Sequence, residues 1–172
     1  SKLKTLLICI AIPLLVGGLA GFISSGSYDT FQQINKPALS PPVILFPIVW
    51  TILYTLMGIA SYLILTSDTS SYITSNPFSS LFSATNANLE IRNALFIYAI
   101  QLIVNFFWPI FFFNKSWYLF SFFWLIMLWI FILITIWRFY DLSKTAAYLL
   151  IPYILWVTFA GYLNLSIYLL NR

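Results

Sequence analysis

The chain has 172 residues, of which 62% are hydrophobic, 20% are aromatic and only 7% are charged. Soluble domains carry about 25% charged residues, so this composition excludes an ordinary soluble protein and predicts one whose surface is mostly covered by lipid. The net charge of +4 comes from residues between the apolar segments or near their ends, which favours contact with lipid headgroups over nucleic-acid binding.

Cysteine and histidine usage narrows the possible chemistry. Cys9 is the only cysteine, so no disulfide can form within the chain, and there is no histidine. The commonest metal ligand and the usual proton shuttle at neutral pH are therefore missing. We expect no metal site, no His-ligated haem and no catalytic set built on Ser-His-Asp or Cys-His.

The first predicted element is a membrane-spanning helix over about residues 3–24. Lys2 and Lys4 before an apolar run could also mark a signal peptide, but the run has roughly 20 residues, against about 7–15 in a signal sequence. Gly17 and Gly21 have the spacing of small residues that lets two helices approach closely. We therefore expect a retained helix that packs in a bundle.

A loop and a second span follow. Residues 25–42 are rich in turn formers and prolines, which predicts a stiff, non-helical segment. The second span covers about residues 43–66. Residues 67–92 are rich in Ser, Thr and Asn, so we predict a long, polar and mobile connection with a short interfacial piece around 78–82.

Three more spans are predicted at about 93–113, 117–137 and 145–170, separated by a turn and by a loop at 138–144. Each span has the roughly 20 residues that a helix needs to cross a bilayer, and the alternation typical of a β-barrel is absent. Pro109 and Pro152 are expected to bend their helices and open space in the bundle. The predicted fold is all-α: residues 1–172 form one integral membrane bundle of five transmembrane helices.

Polar and aromatic side chains form a stripe along three of these spans. Because lipid offers no hydrogen-bond partner, we expect the stripes to face the inside of the bundle. The amides could simply join helices, whereas indoles deep in a span could line a flat apolar cavity with a few polar groups. The stripes are Trp50, Tyr54, Gly58 and Ser61; Gln101, Asn105 and Trp108; and Tyr153, Trp156, Ala160, Asn164 and Tyr168.

These motifs resemble those of the translocator protein family, also called tryptophan-rich sensory proteins or peripheral benzodiazepine receptors. The resemblance is carried by Lys-Pro and Pro-Pro at 36–42 and by the tryptophan-containing stretches 46–58, 101–112 and 150–164. It implies a five-helix bundle, commonly dimeric, with a pocket for porphyrins and benzodiazepine-like drugs closed by the loop after the first helix. The residues that match the family's pocket are Trp50, Tyr54, Asn105, Trp108, Tyr153, Trp156, Ala160 and Leu163.

The resemblance also suggests chemistry and shows departures. Trp50 and Trp156 match a pair linked, in some bacterial members, to light-dependent porphyrin breakdown, which makes them the candidate catalytic residues. Thr30-Phe31 stands where the family often has Trp-Tyr, and Leu39 stands where it often has another Trp. We therefore expect the lid to grip ligands differently.

Our leading hypothesis is a receptor-like protein of a bacterial cell membrane that binds protoporphyrin IX or another flat apolar molecule, with no further cofactor. The macrocycle would stack on Trp50 and Trp156, with Asn105 as a polar contact and the propionates near Lys36. The expected partners are the lipid bilayer and a second copy of the chain. We expect no binding of nucleic acid.

Three alternative functions stay open. The chain could be an enzyme of photo-oxidative porphyrin breakdown, although it lacks acid–base groups. It could be a transporter of tetrapyrroles or other apolar metabolites, but an odd number of helices without a repeat or a buried charge argues against alternating access. It could also be a structural membrane partner without a ligand.

Overall fold

A computed structural model describes the backbone of residues 1–67 and 77–172 and the side chains of residues 1–67 and 89–172. The helices are α1 (Lys2–Ser24), α2 (Tyr28–Gln33), α3 (Leu45–Leu65), α4 (Pro77–Pro109), α5 (Tyr118–Leu142), α6 (Lys144–Leu149) and α7 (Ile151–Asn171). In this described part, five segments are long and apolar enough to cross a membrane: Lys2–Gln33, Leu45–Leu65, Leu89–Asn114, Tyr118–Leu142 and Lys144–Asn171. The predicted all-α bundle of five transmembrane helices is confirmed.

Three predicted loops are partly helical, and to that extent the predictions are wrong. Residues 25–42 contain a 3₁₀ turn (Ser25–Ser27) and α2. Helix α4 begins at Pro77, within the predicted connection 67–92. The loop predicted at 138–144 shrinks to a break at Ser143, whose hydroxyl accepts a 3.2 Å hydrogen bond from the Ala146 N–H and caps α6. Polar residues at these places indicate a segment outside the apolar spans, but they do not prevent the backbone from forming a helix.

Two predictions for the connection at 67–92 concern residues for which the structure gives no description. The predicted mobility of 68–76 lies outside the described residues. The predicted interfacial contact at 78–82 depends on side chains that are likewise outside them, although the backbone there belongs to α4.

Both prolines that were expected to bend a helix lie next to an interruption. After Pro109 the chain continues as a π-helical turn, Ile110–Asn114, in which the Lys115 N–H donates to the Ile110 carbonyl at 3.1 Å. The last transmembrane segment breaks at Leu150, and Pro152 lies in the first turn of α7. Proline has no N–H to donate and its ring crowds the carbonyl one turn earlier, which accounts for the break at Leu150, whereas the π-helical turn lies after Pro109 and not before it.

Helices α1 and α3 make backbone contact at Gly58, and further along they line a cavity together. A Cβ on Gly58 would lie 2.7 Å from the carbonyl oxygen of Cys9, so only glycine allows the two backbones to meet there. Beside this cavity, Gly17 accommodates the ring of Tyr54 instead of a helix backbone. The close approach predicted for the glycines of α1 is therefore made at Gly17, by a side chain of α3, and not at Gly21, while the contact between the two backbones is made at Gly58.

The remaining helices surround an apolar core in which α4 packs on α5, α5 on α7 and α3 on α6. The predicted stripes turn inward for the most part: Gln101, Asn105, Tyr153 and Asn164 are each no more than 2% exposed. The outer faces carry large exposed apolar side chains, such as Phe22 on α1. This arrangement suits a protein whose solvent is lipid.

Candidate ligand-binding site

A cavity of about 320 Å³ lies between α1, α3 and α4, with one residue of α2 at its loop end. Pockets for drug-sized ligands measure about 300–1,000 Å³, so this cavity is near the lower limit. Its lining is mainly aromatic, small or apolar, and consists of Leu14, Gly17, Gly18, Ala20, Gly21, Tyr28, Phe46, Pro47, Trp50, Thr51, Tyr54, Asn105, Trp108, Pro109 and Phe113.

Two glycines of α1 keep the cavity open. Apart from the local backbone of α1 and the neighbouring residues in the chain, no atom lies within 4 Å of the position that a Cβ would take on Gly18 or Gly21. Gly18 is also exposed, as are Pro47 and Thr51 on the facing edge of α3. Because these three exposed residues line the cavity, it reaches the outer surface of the bundle between α1 and α3.

Flat aromatic faces form two walls. On α3, the ring of Trp50 stacks on that of Tyr54, with centroids 5.6 Å apart and planes 26° apart. On α4, Trp108 stacks on Phe112 at 5.0 Å and 20°. Offset stacking of this kind fixes ring orientation. The walls therefore offer preformed planar surfaces to a ligand.

A chain of hydrogen bonds closes the cavity at mid-bundle. The Tyr54 hydroxyl donates to Asn105 Oδ1 at 2.6 Å, and Asn105 Nδ2 donates to the Tyr153 hydroxyl at 2.7 Å. The Tyr153 hydroxyl in turn donates to Gln101 Oε1 at 2.7 Å. The chain joins α3, α4 and α7. An amide nitrogen carries two hydrogens, and one of the two on Asn105, which lines the cavity, is not used in this chain.

A second polar link fixes the indole of Trp108. Its Nε1 donates to Asn164 Oδ1 at 3.0 Å, and Asn164 Nδ2 donates to the Tyr118 carbonyl at 2.7 Å. These bonds connect α4 with α7 and α5. The buried amides thus join helices, as one prediction had it, and they also orient the aromatic walls of the cavity.

The structure divides the eight predicted pocket residues between several places. Tyr153 lies behind the cavity, in the hydrogen-bonded chain, and is fully buried. Ala160 and Leu163 border a separate gap of only about 10 Å³, on the other side of Phe46. The residues that line the main cavity are Trp50, Tyr54, Asn105 and Trp108.

Trp156 is not brought into the cavity with Trp50. Tyr153 and Ala160 take the inward positions on α7, and Trp156 lies on the flank of that stripe, half-buried. It borders an open groove on the outside of the bundle. Its ring packs against that of Phe46, with the ring centroids 5.9 Å apart and the planes at 64°. The cavity thus offers a ligand one of the two candidate photochemical indoles.

Several lining residues were missed in the sequence. Gly18, Gly21, Pro47, Thr51 and Tyr28 line the cavity, and none of them was assigned to it from sequence. A signal for two of them did exist, because three glycines within five residues leave one face of an otherwise bulky helix bare. Whether a bare face meets a helix or a cavity depends on how the helices cross, which sequence does not show.

The cavity is electrically neutral. No charged side chain of the described residues lines it. Lys36, which was predicted to meet a ligand's propionates, donates from Nζ to the carbonyl oxygens of Phe31 and Gln32 at 3.0 and 3.1 Å. It thereby caps the C-terminus of α2. Among the side chains of residues 1–67 and 89–172, no cluster of three His, Cys, Asp or Glu could hold a metal ion.

Comparison with known proteins gives a consistent result over nearly the whole chain. A family model described as TspO/MBR matches residues 9–170. The chain is 35% identical over 173 residues to the tryptophan-rich protein TspO of Chlorobaculum tepidum, covering 99% of this chain and 98% of that protein. It is 31% identical over 144 residues to the tryptophan-rich sensory protein of Cereibacter sphaeroides, covering 83% and 77%. It is 30% identical over 166 residues to the translocator protein of Sus scrofa, covering 92% and 87%.

Proposed function

The chain belongs to the TspO/MBR family, and on that premise we propose that it is a receptor-like membrane protein that binds flat apolar molecules between α1, α3 and α4. The ligand classes are porphyrins, with protoporphyrin IX as the reference compound, and neutral multi-ring compounds of the benzodiazepine kind. A multi-pass protein of a bacterial cell membrane meets both through the lipid phase.

One observation carries this proposal: the cavity combines stacked aromatic walls with a single amide whose donor capacity is not used up. Apolar pockets with a few polar groups are the usual form of a small-molecule site. Trp50 and Tyr54 supply one planar face, Trp108 supplies another, and Asn105 supplies the polar contact. The neutral lining favours ligands whose charged groups, if any, lie outside the cavity.

Fluorescence titration of the purified protein tests the proposal. Protoporphyrin IX and diazepam, added separately at micromolar concentration, are expected to quench tryptophan emission saturably. The quenching by each should be weaker in Trp50→Phe, because Trp50 lines the cavity, and unchanged in Trp137→Phe, whose indole is 69% exposed on the outer surface. The absence of saturable quenching by both compounds in the wild type would contradict the proposal.

Transport is the second candidate function, and the opening of the cavity between α1 and α3 favours it. Exposed Gly18 and Thr51 at this opening give a ligand a way in from the bilayer. Flux of protoporphyrin IX across proteoliposomes, compared with empty liposomes and with the Gly18→Leu variant, separates the two functions. A receptor binds without accelerating flux, whereas a transporter accelerates it and loses this when the opening is filled.

We also propose that the partner of the chain is a second copy of itself. The support is family membership, together with outer helix faces rich in exposed aromatic and aliphatic side chains. Light scattering of the detergent-solubilised protein, corrected for bound detergent, is expected to give twice the monomer mass. A monomer at all protein concentrations would contradict a homodimer.

A further inference from the structure

We propose that Phe31, on the lid helix α2, is an internal plug that limits the size of ligand the site accepts. This inference rests on the proposed ligand-binding function and deepens it. In the closed state seen here, the main cavity admits compounds of two or three rings. A tetrapyrrole requires Phe31 to leave its place.

The first argument is the position of Phe31. Although α2 lies outside the core helices, the Phe31 side chain is only 3% exposed. Its ring lies 5.1 Å from that of Phe113, 5.7 Å from that of Phe112 and 6.2 Å from that of Phe46. It borders the gap of about 10 Å³ together with Ala160. Phe31 therefore fills the space that faces Ala160 on α7.

The second argument is that only a thin partition separates this filled space from the main cavity. Phe46, Trp108 and Phe113 line both. Two of these rings, Phe46 and Phe113, pack against Phe31. Removal of Phe31 would leave them unsupported on one side, and the two spaces could then join into one larger pocket that reaches from Trp50 to Ala160.

The third argument is that the lid is fastened rather than loose. Lys36 caps α2 and its Nζ lies 4.9 Å from the centre of the Phe31 ring, within cation–π range. Asn171, at the end of α7, accepts a 3.0 Å hydrogen bond from the Asn35 N–H at Oδ1 and donates from Nδ2 to the Asn35 carbonyl at 2.8 Å. We call this pair of bonds the amide clasp. It joins the lid to the far end of the chain.

The closed lid lowers the apparent affinity for a large ligand. When the competent state is a minor one, populated at about 0.1–10%, apparent affinity falls by that fraction. Removing the plug should therefore raise affinity for a tetrapyrrole by about tenfold or more. Affinity for a small ligand that fits the main cavity should change little.

Equilibrium titrations of the full-length protein in detergent test the plug. We expect Phe31→Ala to lower the dissociation constant for protoporphyrin IX about tenfold or more and to leave that for diazepam within about twofold. The matched control is Phe96→Ala, which removes a ring that is 66% exposed on α4, and both constants should stay at wild-type values.

The outcomes separate the plug from the function beneath it. Wild-type binding of diazepam together with equal affinity of Phe31→Ala and wild type for protoporphyrin IX overturns the plug and keeps the proposed function. That result would place the tetrapyrrole in the opening between α1 and α3. If neither compound binds either protein, both proposals are overturned.

A second variant decides the matter if Phe31→Ala does not fold. Asn171→Ala removes the amide clasp at an exposed position and leaves the core intact. Stopped-flow mixing is expected to show faster association of protoporphyrin IX and an unchanged rate for diazepam. Asn93→Ala, an exposed amide on α4, is the control and should alter neither rate. Equal protoporphyrin rates in Asn171→Ala and the wild type would overturn the role of the lid.

Discussion

The amide of Asn105 bonds to tyrosines from two other helices and so joins three helices in the interior of the bundle. Its oxygen accepts from Tyr54 and its nitrogen donates to Tyr153. An Asn105→Leu substitution keeps a side chain of similar size but removes both bonds. The two phenols then remain in a nearly dry interior without this partner.

We therefore expect Asn105→Leu to lower the free energy of unfolding by about 1–3 kcal/mol, the typical cost of leaving buried polar groups unpaired. Bonds inside membrane proteins average only about 0.6 kcal/mol, which favours the lower half of this range. Unfolding by sodium dodecyl sulfate in mixed micelles, followed by circular dichroism, measures the change. Asn93→Leu, at an exposed position, is the control, and equal losses in both variants would contradict the structural role of Asn105.

Trp50 and Trp156 differ in their access to a ligand, and this difference predicts a difference in photochemistry. Trp50 lines the cavity, whereas Trp156 borders the outer groove. Light-driven loss of bound protoporphyrin IX is expected to slow in Trp50→Phe and to keep its rate in Trp156→Phe. Absorbance of the illuminated complex measures both rates. A Trp156→Phe variant that slows as much as Trp50→Phe would show that the bound porphyrin lies against both indoles.

At the scale of helices, the bare face of α1 determines how much room the cavity has. Gly18 faces open space within the cavity lining, so Gly18→Leu can fill that space without displacing a neighbour. We expect diazepam affinity to fall by about tenfold or more, a loss of about 1.4 kcal/mol or more, with no loss of thermal stability. Ala11→Leu adds similar bulk on the exposed face of the same helix and should leave the affinity unchanged.

Two results of the Gly18 experiment would contradict this role. Unchanged affinity in Gly18→Leu would show that the ligand binds elsewhere. A large loss of stability in that variant, compared with Ala11→Leu, would show that α1 packs more tightly at this end than the structure indicates.

The sequence was most informative about where the helices lie along the chain. It was least informative about how the helices pack against one another. Hydropathy located all five spans, since a bilayer admits few alternatives to an apolar helix. The inward stripes on α3, α4 and α7 also followed from spacing alone. The roles of Gly58 and Gly18 did not, because glycine suits both a close contact and an open cavity. The lid helix α2 was hidden by the turn formers around it.

The candidate site was predictable to a similar extent. Trp50, Tyr54, Asn105 and Trp108 lie on helix faces that spacing and resemblance identified together, and all four line the cavity. The place of Trp156 could not be read from the sequence, because a residue at the edge of an inward stripe can face either the interior of the bundle or its outer surface. The place of Phe31 could not be read either, because it borders the same small gap as Ala160, a residue more than a hundred positions away in the chain.

For the molecule as a whole, an odd number of spans sets a simple topological condition. With five transmembrane segments in the part of the chain that the structure describes, we expect residues 1 and 172 on opposite sides of the membrane. In a Cys9→Ser background, only one of the variants Ser1→Cys and Arg172→Cys is expected to react with a membrane-impermeant maleimide in intact cells, and the other only after the membrane is permeabilised. Reaction of both from the same side would contradict the five-span bundle.

The hydrogen-bonded chain from Tyr54 to Gln101 separates two halves of the molecule, and these differ in how freely their residues can be substituted. On one side of it, backbone contact at Gly58 holds α1 and α3 together, so this half is a fixed foundation. On the other side lie the cavity, which the same helices line, the lid and the amide clasp. Changes of sequence near the lid can therefore adjust what the protein recognises without disturbing how it assembles in the membrane.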